Sequence, residues 1–141
     1  MARIIRPDSP ARARSSIVAA VREALADPDL VADPDNLCDR LAYAGLALRE
    51  LERSTEQTAE AWERRGYWLK ADQFRREWRW AGQGAEAILA PLIKDDLEGA
   101  RAAANDLLPR LPATSGVKPI GTRWTGAYAR LKGDPRAAHG P

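Results

Sequence analysis

A chain of 141 residues, 45% apolar and 30% charged, is long enough to bury one ordinary core and gives no sign of a second. One cysteine, Cys38, excludes an internal disulfide framework and a cysteine-rich zinc site, and a net charge of +2 excludes a strong overall field toward nucleic acid. The charge is unevenly placed: residues 1–16 hold four Arg and one Asp, residues 109–141 hold six basic groups and one Asp, and the section between holds 12 basic against 18 acidic groups.

Alanine, leucine, glutamate and arginine dominate while β-branched residues are few, so the intrinsic propensities predict an all-α protein. A basic arm, residues 1–8, comes first. Ser9 followed by Pro10 then reads as an N-cap with proline at the first helical position. Ile17, Val18, Val21, Ala24 and Leu25 line one face of a helix over about 10–26, which Asp27 and Pro28 end. Asp33 and Pro34 start the next helix. The aspartates of this junction are predicted as helix caps, since no oxygen-ligand loop pattern for a cation is complete.

From Leu37 the apolar spacing becomes regular. Leu37, Leu41, Ala44, Leu48, Leu51, Thr55, Thr58 and Trp62 follow alternating steps of four and three, one stripe on a helix over about 35–65. Cys38, beside Leu37, reads as a small buried hydrophobe. A second series, Tyr67, Ala71, Phe74, Trp78, Ala81, Ala85, Ile88 and Leu92, keeps the same alternation but is out of phase by two. The break falls at Gly66, where a left-handed C-cap can reverse the chain, so the spacing predicts a long antiparallel hairpin of helices 35–65 and 67–92. A competing break lies at Ser54 and Thr55, with a capping-box partner at Gln57. Asp95 with Glu98 predicts a capping box for a fourth helix over about 95–108, closing a bundle domain of residues 9–108. Beyond it, five Gly and five Pro predict a basic, mostly extended tail, residues 109–141, broken by a short amphipathic segment near 122–132 that carries Trp124, Tyr128 and Leu131. That segment is placed to dock on the bundle or on a partner.

Residues 62–80, WERRGYWLKADQFRREWRW, hold six of the nine aromatic and six of the 22 basic side chains. Most of this cluster belongs inside. Trp62, Tyr67, Phe74, Trp78 and Ile88 are predicted core with Leu41, Leu48 and Leu51, large rings alternating with Ala71, Ala81 and Ala85 as interdigitated packing requires. A second face carries Leu69, Arg76, Trp80 and Ala87; an outward Trp80 calls for a cover, from the first helix, the fourth, the Trp124 segment or a second subunit, and Gly82 and Gly84 admit a close neighbour. The third carries Trp68, Asp72, Arg75, Arg79 and Glu86, where the like-charged pair Arg75 and Arg79 needs Asp72, a partner carboxylate or a phosphate to relieve it.

Catalytic constellations are missing from the pattern. The single histidine, His139, is third from the end of the tail, so neither a histidine-based triad nor a di-iron bundle can be assembled around it. No cofactor is indicated. No apolar run approaches the roughly 18 residues of a membrane span, and the start lacks a signal-peptide core, which together predict a cytoplasmic protein. The expectation is a non-catalytic interaction or scaffold protein that self-associates or joins a protein complex through Trp68, Arg75, Arg76, Arg79, Trp80, Trp124 and Tyr128. The alternative is a nucleic-acid-associated protein whose basic arms and Arg75 and Arg79 meet phosphates while Trp68 or Trp124 stacks on a base.

Overall fold

Ser9 does cap the first helix: its hydroxyl accepts from the Arg12 amide at 3.1 Å, and Pro10 supplies a φ already suited to the first turn. In the computed structural model, which describes residues 9–114 and 121–133, this helix, α1, spans Pro10–Ala24. The junction after it holds Asp27 in the left-handed region and a single 3-10 turn, Pro28–Leu30. Asp33 accepts from the Asp35 amide at 3.0 Å and caps α2, Pro34–Arg64. The hairpin follows as predicted, with α3 at Trp68–Ile93. The chain reverses at Gly66, whose φ of 86° few other residues adopt, and α2 runs unbroken through Ser54 and Thr55.

The cap of α4, Leu97–Leu107, is shifted from its predicted place. Asp96, not Asp95, accepts from the Gly99 amide at 3.0 Å. Asp95 instead adopts a positive φ of 61° in the turn, and its carboxylate accepts from the Tyr128 hydroxyl and pairs with Lys132. Residues 127–133 form α5, Ala127–Gly133, so part of the predicted tail folds onto the domain expected to end at 108. Among the described residues there are five α-helices and no strand.

The core lies between α2 and α3, with α1 and α5 packed on α2 and α4 on α3. Leu37, Leu41, Leu48 and Leu51 of α2 meet Ile88, Leu89 and Leu92 of α3, joined by Val18, Val21 and Leu25 of α1 and Leu131 of α5, all fully buried. Burying each such side chain contributes about 1.5–3 kcal/mol, so this layer supplies most of the driving force for closing the hairpin. Gly45 sets how closely its two helices approach. A Cβ there would stand 2.4 Å from Leu89 Cδ2, so the leucine presses on bare backbone.

The order of contacts along the hairpin gives it two unlike ends. Arg14 near the start of α1 reaches Thr58 while Arg40 of α2 reaches the Ala26 carbonyl, so α1 runs antiparallel to α2. Trp124 and the α5 backbone meet Asn36 and Asp39 at the start of α2. The junctions and α5 therefore crowd one end, and the turn at Gly66 forms the other.

Candidate interaction surface

Backbone geometry at the turn decides what that end presents. The Gly66 amide donates to the Glu63 carbonyl and the Tyr67 amide to the Trp62 carbonyl, both at 2.9 Å, which is the Schellman closure of α2. Tyr67 thus sits outside both helices, with φ −92° and ψ 61°, and α3 begins one residue later. Extending the α3 stripe back to Tyr67 assumed a helical residue there. Instead of core, Tyr67 is 55% exposed, and Trp68 and Leu69 beside it are 65% and 70% exposed. Side chains of a helix lean toward its N-terminus, so those of the first turn of α3 point past the last turn of α2. All seven residues 64–70 are exposed.

Charge within residues 64–70 has one sign. Arg64, Arg65 and Lys70 flank the apolar triplet, and no carboxylate lies between residues 64 and 70. Lys70 Nζ stands 4.5 Å from the Trp62 ring centre. The bordering carboxylates are already engaged: Glu63 pairs with Arg75 at 2.6 Å, and Asp72 with Arg76 at 2.9 Å.

Arg75 shows how the predicted arginine conflict is resolved. Its guanidinium donates to both Glu56 and Glu63 of α2, so two carboxylates across the hairpin, and not Asp72, balance it. The Arg75 hydrogen bond holds the Glu63 carboxyl below its ordinary value, while the two glutamates raise Arg75. A carboxyl with a lowered folded-state pKa stabilises above its unfolded value near 4.5 and loses that contribution as pH falls through the folded value. Replacing Arg75 with Met should therefore lower the urea midpoint at pH 7 and make a smaller difference at pH 3; an equal deficit at both pH values would show that the ion pairs contribute nothing.

Farther down α3 the aromatic residues are used internally. Trp62 and Phe74 meet edge to face at 4.8 Å, Phe74 and Trp78 lie 6.2 Å apart, and Trp78 and Trp80 lie 5.8 Å apart. These four rings are half-buried, fulfilling the core assignment of Trp62, Phe74 and Trp78 only in part, whereas Leu41, Leu48, Leu51 and Ile88 are fully buried. Trp80, predicted outward, packs on the chain's own core, and Gly84 is approached by Leu107 of α4. A residue that sequence reasoning missed joins the cluster from α1. Arg14 is buried, donates to Thr58 Oγ1 at 3.1 Å, and lies over Phe74 and Trp78 at 4.8 and 5.8 Å. Burial pushes its guanidinium below the usual value. The signal was present: Arg14, Val18, Val21 and Leu25 share the four-three-four spacing of the buried face.

Beside Trp78 lies an open cleft of about 220 Å³, lined by Glu52, Thr55, Glu56, Arg75, Trp78 and Arg79. Arg79 is exposed at its edge. Trp124, whose segment was expected to dock on the bundle or on a partner, is buried on the bundle: its indole N–H donates to Asn36 Oδ1 at 3.0 Å and the Arg40 guanidinium lies 4.4 Å over its ring. Tyr128 is half-buried with its hydroxyl on Asp95. Cys38 is half-buried too, its thiol held protonated by burial and by Asp35, Asp39 and Asp95. Among the described residues no group of three His, Cys, Asp or Glu is placed to hold a metal ion, and no helix is long and apolar enough to cross a membrane. His139 and the first eight residues lie outside the described ones.

Comparison of the chain with protein-family models, with curated proteins and with solved structures gives no match. The reading of its function therefore rests on the geometry alone. Of the seven predicted partner-binding residues, Trp68 stands on the exposed end, Arg76 and Arg79 are exposed on the flank of α3, and Arg75, Trp80, Trp124 and Tyr128 are engaged within the chain. Tyr67 and Leu69 stand exposed beside Trp68.

Proposed function

We propose that the protein is a non-catalytic helical interaction protein, a rigid bundle that docks through the turn end of its hairpin. One observation carries this reading: Tyr67, Trp68 and Leu69 are the large hydrophobic side chains left exposed among the described residues, and they are consecutive. Isolated exposed apolar residues are ordinary, but a contiguous group with two rings is costly to leave in water and matches the aromatic centre of a binding surface. Catalysis has no comparable support: of the charged groups in the cleft beside Trp78, Glu56 and Arg75 are committed to each other.

The nucleic-acid alternative keeps Arg79 and Trp68 exposed but loses two of the contacts it named. Arg75 is held by two glutamates and Trp124 is buried, which leaves Trp68 as its stacking residue. A surface that receives the aromatic triplet fits it without further requirement. Symmetric pairing of two such ends would set Arg64, Arg65 and Lys70 of each copy against like charge, so an unlike, acidic surface is the better complement.

A photoreactive phenylalanine placed at position 68, and separately at the exposed control position 83, tests the reading in cells that make the protein. Position 68 should yield covalent adducts well above those at position 83. Equal yields would remove the turn end as the docking surface.

A further inference from the structure

Any surface that covers the turn end must accept, at once, a leucine, two amphipathic rings and three cations, with no carboxylate among residues 64–70. We propose that the turn end of the hairpin docks on an anionic lipid bilayer surface, an identification that rests on the docking role argued above. Each side-chain type there suits one depth of such a surface. Leu69, the most exposed at 70%, suits the acyl boundary. Trp68 and Tyr67 have apolar ring bodies with one polar atom each, which suits the headgroup level. Arg64, Arg65 and Lys70 have stems long enough to reach lipid phosphates from the rim.

Three arguments favour this occupant over others. The charge of residues 64–70 is wholly positive, and the bordering carboxylates are turned to other cations, Glu63 sharing Arg75 with Glu56 and Asp72 pairing with Arg76. A single-stranded nucleic acid would stack the rings but leave Leu69 in water. The group also lies on a turn, seven consecutive exposed residues that offer a protrusion and no pocket, and a soft interface receives a protrusion without prior fit. Docking is shallow, because no helix of the described residues can cross a bilayer.

Co-sedimentation of the full chain with phosphatidylcholine vesicles, with and without phosphatidylserine, tests the proposal. Binding should require phosphatidylserine and weaken with salt. Trp68→Ser and Leu69→Ser should each reduce partitioning about tenfold, the scale expected for burying a large apolar side chain, and Arg65→Gln and Lys70→Gln about fivefold each. Because the four positions are exposed, circular dichroism melts should match wild type and show that the variants are folded. Absence of binding to phosphatidylserine vesicles overturns the lipid assignment. So does binding that survives all four substitutions, which would belong to the basic arms. If vesicle binding is absent while position 68 still forms adducts with a protein, the occupant is an acidic protein and the docking role stands; if both fail, the docking role falls as well.

Discussion

Leu48→Ala should lower the free energy of unfolding by about 3 kcal/mol, within the range for truncating a fully buried leucine. Leu48 has no exposed surface, and it lies at the middle of α2 where three helices meet. A methyl placed on Gly84 would lie 3.6 Å from Leu48 Cδ1 and 3.1 Å from Leu107 Cδ2, so α2, α3 and α4 converge on this point. Long helices fixed on both sides cannot close independently around a missing isobutyl group, and the vacated volume should persist as a cavity. The measurement is the urea midpoint at an unchanged denaturant slope. A loss below about 1 kcal/mol would mean that the neighbours collapse into the space and that the layer is less tightly specified than its contacts imply.

Trp124→Ala should release the last helix while leaving the hairpin folded. Trp124 combines a buried ring, a hydrogen bond to Asn36 and the Arg40 guanidinium stacked over it. Its truncation carries an expected cost of about 3 kcal/mol or more. Because α5 packs chiefly on α2, with Tyr128 and Lys132 reaching Asp95 and the Ile93 carbonyl at the end of α3, the cost can be met by local undocking. The amides of Gly126 and Tyr128, which donate to the Asp39 carboxylate, are the reporters. Their hydrogen-exchange protection should fall about 100-fold, as about 3 kcal/mol implies, while that of the α2 core amides falls much less. Equal losses in α5 and α2 would show that the last helix opens only with the whole bundle.

How far the sequence reveals this molecule depends on the range of each signal. The hairpin was legible because both stripes obey one helical period over many turns, and because Gly66 breaks their phase where the backbone needs a positive φ. Ser9 and Asp33 were legible as caps because their local pattern suffices. Asp95 and Asp96 compete for the same role, and the choice is made by Tyr128 and Lys132, which reach Asp95 from the far end of the chain. Tyr67 was misassigned because periodicity does not register where helical dihedrals stop. The fate of Trp124 and Trp80 depended on which neighbours cover them, and a spacing rule carries no such information. Asp39 was missed for the same reason, since it binds backbone amides 87 and 89 residues away.

The reversal at Gly66 also orders the entropy of closing the molecule. Its first hydrogen bonds link residues three to five apart, and each further contact down the two helices encloses a loop only slightly larger than the one already closed. Docking of α5 joins positions 88 residues apart, Asn36 and Trp124, and even its link from Tyr128 to Asp95 spans 33. One seam of this protein thus closes tooth by tooth from the bend outward, whereas the other is fastened by a few distant clasps at the far hem.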